Sequence, residues 1–179
     1  YQATAIDPRG AKPIQNLEAA KELSGDHQRS LLDALNSANA RHAAKRPFDR
    51  DLNARLESFE LAWRMQTSAP EAFDLGQESK ETQEAYGLNR KESKDYGRQC
   101  LIARRLIERG VRFVQVFASC PNTPGGAVSD VPWDAHNDIN GNHRACASTV
   151  DQPTGALLQD LKQRGLFDET IVIYGGEFG

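Results

Sequence analysis

The sequence predicts an α/β protein, with a mostly parallel sheet flanked by helices and a helical part at the N-terminus. Three observations carry that prediction. Apolar residues recur at helical spacing in the first half, the period shortens to that of a strand at 111–117, and a second apolar run at 170–174 follows one more helix. Strand, helix and strand with a short return make a βαβ unit, in which the crossover is right-handed and the strands run parallel. Residues 91–179 then form an αβαβ part, and residues 1–90 a mostly helical and irregular part, of a single domain.

Taken in order, residues 1–23 have no sustained period and carry Pro8, Gly10 and Pro13, so they read as an irregular arm. Ser24 can cap a helix over roughly 26–45, with Leu31, Leu32 and Leu35 inward and Pro47 beyond its end. In the next helix, about 49–68, Leu52, Leu56, Phe59 and Trp63 gather on one stripe, Asp49 and Asp51 sit at the positive end, and Pro70 breaks the pattern. A short helix is expected around 78–86, ahead of Gly87. A longer one follows over about 91–109, with Tyr96, Cys100, Ala103, Leu106 and Ile107 inward and Gly110 as its left-handed terminal residue.

The first strand, 111–117, is rich in β-branched and aromatic residues. A Pro/Gly loop covers 119–132. Asp151 as N-cap and Pro153 as first helical residue then open a helix that runs through Leu157, Leu158 and Leu161 to Gly165. Charge alternation along these helices reads as a solvated face.

Composition narrows the function classes. The 179 residues carry 22 Lys+Arg against 25 Asp+Glu, a net charge of −3, and 39% are apolar. No run reaches the roughly 18 apolar residues a bilayer span needs. Nucleic acid is not an expected partner, because phosphate contacts need a concentrated basic surface, and Asp95 and Glu108 dilute the pair Arg104-Arg105 on its helix. Cys100 lies on an apolar helix face and reads as a core residue. Cys120 and Cys146 bracket a loop; they pair in an oxidising compartment, or all three cysteines are free thiols. The chain opens at Tyr1, its one methionine (Met65) is internal, and it ends as an apolar strand entering a glycine loop. We therefore expect a segment of a longer protein, with a complete small domain as the alternative.

Ligands of open α/β sheets bind at the carboxyl edge of the strands. After the first strand comes Trp133-Asp134-Ala135-His136-Asn137-Asp138, then His143; after the second comes Gly175-Gly176-Glu177. Asp134 and His136 alternate across Ala135, so in an extended segment both side chains can point the same way. Carboxylate plus imidazole without thiolate suits zinc, manganese or a similar divalent ion. The blander reading makes Asp138 turn chemistry, His143 a cap or a solvated residue, and Glu177 the first turn of a helix. Convergence of the segments on one edge is what favours a site. Other chemistries have less behind them: no spacing compels a Cys120–His136 nucleophile pair, and Ser119 and Ser129 lack a nucleophile elbow.

Four stretches carry a resemblance: 53–75, "YGRQCLIARRLIERGVRFVQVF" at 96–117, "WDAHNDINGNH" at 133–143 and "GALLQDLKQRGLFDETIVIYGGEFG" at 155–179. Together they resemble the sulfatase-like domain-of-unknown-function family fifteen-oh-one, a branch of the alkaline phosphatase superfamily. The resemblance implies an alkaline phosphatase-like sheet between helices, present here as an incomplete central fragment. It also implies two divalent metal sites (zinc, manganese or calcium) in the full-length protein, and a nucleophile attacking a sulfate or phosphate ester in line. Asp134 and His136 resemble the Asp/His pair on one metal, and Glu177 stands near a carboxylate on the other. Asp138 and His143 match the family text as possible additional ligands, without an assigned role. The nucleophile is expected upstream of Tyr1, so this segment alone is expected to be inactive. The substrate class is a small-molecule or glycan sulfate or phosphate ester. Export to the periplasm or beyond is implied by the same resemblance. The reading from a different class is a non-catalytic exported binding protein that retains the fold.

Overall fold

The computed structural model describes residues 4–7, 13–14, 25–45, 54, 57–60, 63, 70–118, 133 and 138–176. The chain divides into two compact units, 1–73 and 74–179.

In the first unit, α1 spans Gly25–Ala44, close to the predicted helix, with Asp26 in its first turn and Arg41 and His42 in its last, as the helix dipole favours. It buries no residue. Leu31 and Leu35, expected inward, are 51% and 55% exposed. Polar contacts serve it instead: Arg29 pairs with Asp33 one turn on and with Glu60 at 3.2 Å, and its guanidinium lies 5.9 Å from the centre of the Trp63 ring. Of the stripe predicted on the next helix, Phe59 and Trp63 are helical, and Phe59 is exposed. Leu52 and Leu56 lie outside the described residues. Pro70, expected to break the pattern, is itself helical, as its locked φ permits, and residues 64–69 ahead of it lie outside the described residues.

The second unit begins at Asp74, whose carboxylate accepts from the Gly76 N–H and caps a 3₁₀ turn at Leu75–Gln77. Ser79 then caps α2 (Lys80–Ala85) by accepting from the Thr82 N–H. α3 spans Lys94–Glu108 and α4 spans Ile139–Gln163. α3 packs on α4, and a 3₁₀ turn at Phe167–Glu169 folds back onto α4. The core is the predicted face of α3, with Tyr96, Cys100, Ala103 and Leu106 buried, set against Cys146, Thr149, Val150, Pro153 and Leu161 of α4. Gly110 and Gly165 take φ of +81° and +69° where the sequence placed helix ends. In both cases the next N–H reaches back to close the last turn, Val111 to Leu106 and Leu166 to Leu161.

Two expectations fail here. The first concerns α4, which starts not at Asp151 but at Asp138, whose carboxylate accepts from the Gly141 N–H at 3.1 Å with its own φ at +42°. Pro153 thus lies inside the helix. An interior proline removes one hydrogen bond and costs about 3 kcal/mol, but this ring is fully buried, and its apolar contacts offset part of that cost.

The second correction is to the fold class. The described residues form helices and turns and no β-strand, so there is no parallel sheet, no βαβ crossover and no alkaline phosphatase-like sheet among them. Residues 111–118 and 171–176 lie outside any ladder. Phe113, Phe117, Ile171 and Ile173 are 77%, 70%, 89% and 87% exposed. Strand propensity measures how well a side chain fits a pleated, half-buried surface. A helix completes its own hydrogen bonds, whereas a strand needs a neighbour to supply them. Neither segment has such a neighbour among the described residues.

Candidate functional site

The charged face that read as solvated is, on one side of α3, buried. Arg104 and Arg105 are 1% and 4% exposed. Arg104 reaches three carboxylates: Nη2 lies 2.6 Å from Glu78 Oε2, Nη1 2.6 Å from Glu108 Oε2, and Nε 3.0 Å from Asp160 Oδ2. Arg105 pairs with the other oxygen of Glu78. Arg164 closes the cluster, with Nε 2.6 Å from Asp160 Oδ1 and Nη1 2.6 Å from Glu108 Oε1. Three guanidinium groups thus face three carboxylates, and the cluster is neutral. It joins the segment before α2 to both long helices.

Around this cluster the α2 end is fastened by neutral groups. The Tyr86 hydroxyl donates to Asp160 Oδ2 at 3.0 Å, and burial together with the Asp160 charge raises the phenol far above its ordinary range. Gln152 Nε2 donates to the carbonyls of Glu84 and Ala85, while its Oε1 accepts from Arg90 at 2.8 Å. One side chain therefore bonds two carbonyls at the α2 terminus, next to the interior proline of α4. The sequence signal for the buried arginine was present. Arg104 stands four and eight residues after Cys100 and Tyr96, on the same helical stripe.

Of the predicted metal residues, Asp134, His136 and Glu177 lie outside the described residues. Asp138 is the α4 cap, and a Cβ at Gly141 would stand 2.1 Å from Asp138 Oδ2, so a larger residue there would push the capping carboxylate aside. His143 is exposed on the first turns of α4, its Nε2 3.3 Å from the Trp133 carbonyl and its ring 6.4 Å from the Trp133 ring. The structure therefore brings Asp138 and His143 to one helix start, in capping and stacking roles. Among the described residues no group of three His, Cys, Asp or Glu could hold a metal ion.

Cysteine chemistry divides as the sequence allowed. Cys146 is disulfide-bonded, Cys100 is a free buried thiol, and Cys120 lies outside the described residues. Burial pushes the Cys100 thiol up to about 12, against a lowering by Tyr96. At pH 8 only about one in 10⁴ such thiols is ionised. Alkylation of Cys100 in the native chain is expected to run at least 100-fold slower than in denaturant. Peptide mass spectrometry after timed iodoacetamide treatment checks this, and equal rates would contradict it.

The family model described as "Protein of unknown function (DUF1501)" matches residues 1–179. The chain belongs to the DUF1501 family. No curated protein and no solved structure matches it. In this DUF1501 chain no helix among the described residues is long and apolar enough to cross a membrane. What the described geometry offers chemically is a rigid helical support, α3 on α4 locked by buried ion pairs, with the Asp-x-His text entering directly ahead of α4.

Proposed function

We propose that this DUF1501 protein contributes to a divalent-metal hydrolase of sulfate or phosphate esters, akin to sulfatase-like members of the alkaline phosphatase superfamily. Asp134, His136 and Glu177 are the proposed metal residues. The observation that most supports the reading is the contact between His143 Nε2 and the Trp133 carbonyl, which fastens the residue before Asp134 to the start of α4. With no sheet edge among the described residues, that contact and the family text carry the reading in place of strand topology.

The donor set fits the group. Two carboxylates and one imidazole suit zinc, manganese or calcium, and the carboxylates would offset the charge of the ion. A bound ion would polarise the ester oxygens and stabilise the charge that develops as the ester bond breaks. A disulfide at Cys146 suits an oxidising compartment and supports export.

Metal analysis of the purified protein is expected to find divalent metal bound in near-stoichiometric amount, and Asp134→Ala or His136→Ala to remove at least half of it. Metal absent from the wild type after supplementation would reject the hydrolase and favour a non-catalytic exported binding protein. Turnover of 4-nitrophenyl sulfate against 4-nitrophenyl phosphate then decides the anion.

A further inference from the structure

A groove of about 530 Å³ runs between α2 and α4, a volume within the range of small-ligand sites. Its floor is made of small residues, Ala85, Gly155 and Ala156, and a Cβ built on Gly155 meets nothing within 4 Å. One side is rigid, because Tyr86 and Asp160 are hydrogen-bonded to each other and Asp160 is held by Arg104 and Arg164. The α4 wall ends in Gln159 and Gln163, one turn apart, whose carboxamides have no hydrogen-bonding partner among the described residues.

The lining chemistry selects a ligand class. No lysine or arginine lines the groove, and its formal charges are the carboxylates of Glu81 and Asp160. An anionic group is therefore disfavoured. Each free carboxamide presents N–H donors beside a carbonyl acceptor, and a hydroxyl can both donate and accept, so adjacent hydroxyls match adjacent carboxamides. Tyr86 is 1% exposed and offers no stacking face, which leaves hydrogen bonding as the means of recognition.

We propose that this groove binds an uncharged, hydroxyl-rich saccharide segment. Gly155 lies about 24 Å along α4 from the helix start that holds Asp138 and His143, at 1.5 Å per residue over 16 residues. Resting on the ester-hydrolase reading, the proposal names a glycan as the substrate class, its neutral portion held in the groove.

The test is titration of the ¹⁵N-labelled full chain with uncharged tetrasaccharides of glucose and of N-acetylglucosamine, followed through the glutamine side-chain NH₂ signals. Saturable shifts at Gln159 and Gln163 are expected with at least one tetrasaccharide. Gly155→Trp, which fills open space on an exposed helix position, should weaken the binding at least tenfold while the remaining amide spectrum stays folded. Gln159→Ala with Gln163→Ala serves as a second, smaller lesion. Absence of shifts with both tetrasaccharides, or shifts that Gly155→Trp leaves unchanged, would overturn the proposal. Metal content measured on the same samples separates the two readings: saccharide binding without metal rejects the hydrolase and keeps the groove, and metal without saccharide binding does the reverse.

Discussion

Arg104→Met is expected to destabilise the 74–179 unit by about 3–5 kcal/mol, the penalty for stranding buried charge. The side chain is 1% exposed and touches Glu78, Glu108 and Asp160. Removing it leaves three carboxylates facing the two remaining guanidinium groups, one of which, Arg164, is 38% exposed. Arg104→Lys should recover little, because a single ammonium cannot span three acceptors in the fork geometry of a guanidinium. Urea unfolding gives the measure: a lower midpoint at unchanged slope. Arg29→Met, at an exposed pair on α1, serves as the control and should leave the midpoint nearly unchanged, because solvent screens such a pair. An equal loss in the two variants would show that the buried cluster carries no special weight.

The same cluster sets an acid limit. Burial on its own would raise the Glu78 carboxyl, but hydrogen bonds from Arg104 and Arg105 outweigh it and hold the group below its ordinary value of 4.5. A carboxylate depressed in the folded state stabilises fully above its unfolded pKa, and that stability is lost as pH falls through the lower folded value. Thermal midpoints should therefore drop as pH falls below about 4.5, and Glu78→Gln should flatten that part of the profile while lowering stability at neutral pH. A Glu78→Gln profile parallel to wild type across this window would refute the assignment.

Gly97→Ala is the second large effect. A Cβ at Gly97 would stand 2.0 Å from the Tyr86 carbonyl oxygen, a backbone atom that cannot rotate away. Alanine in a helix interior gains about 1 kcal/mol over glycine by propensity, so an exposed site would be stabilised. Here the gain should be reversed, because α3 must move off the α2 terminus and disturb the Tyr86–Asp160 hydrogen bond; overpacking of this kind costs about 1–3 kcal/mol. Gly155→Ala, where the added carbon meets nothing, is the paired control and should stabilise. If both substitutions stabilised, the close approach at Gly97 would be disproved.

Gly97 and Arg104 show why the candidate site was only partly legible. Glycine in the middle of a predicted helix signals either a tolerated defect or a close neighbour, and its own text does not say which. Arg104 shares the apolar stripe of Tyr96 and Cys100, yet the three carboxylates that hold it come from positions 78, 108 and 160. Asp138, read as turn chemistry or a possible metal ligand, turned out to be the cap of a helix that begins thirteen residues ahead of Asp151. The Asp134, His136 and Glu177 assignment came from motif text and resemblance, and it stands as a proposal to be tested by metal content.

The sequence by itself determined where most helices end and which side of α3 is core: Gly110 and Gly165 perform the terminating roles their chemistry suggests. Those roles depend on bonds between residues a few positions apart, so local text suffices. Tertiary structure alone decided that Pro153 lies within a helix, that Arg104 is buried, and that 111–117 and 171–174 form no strand among the described residues. A buried charge or a strand acquires its energy from partners distant in the chain, and only their presence or absence in space settles whether it forms.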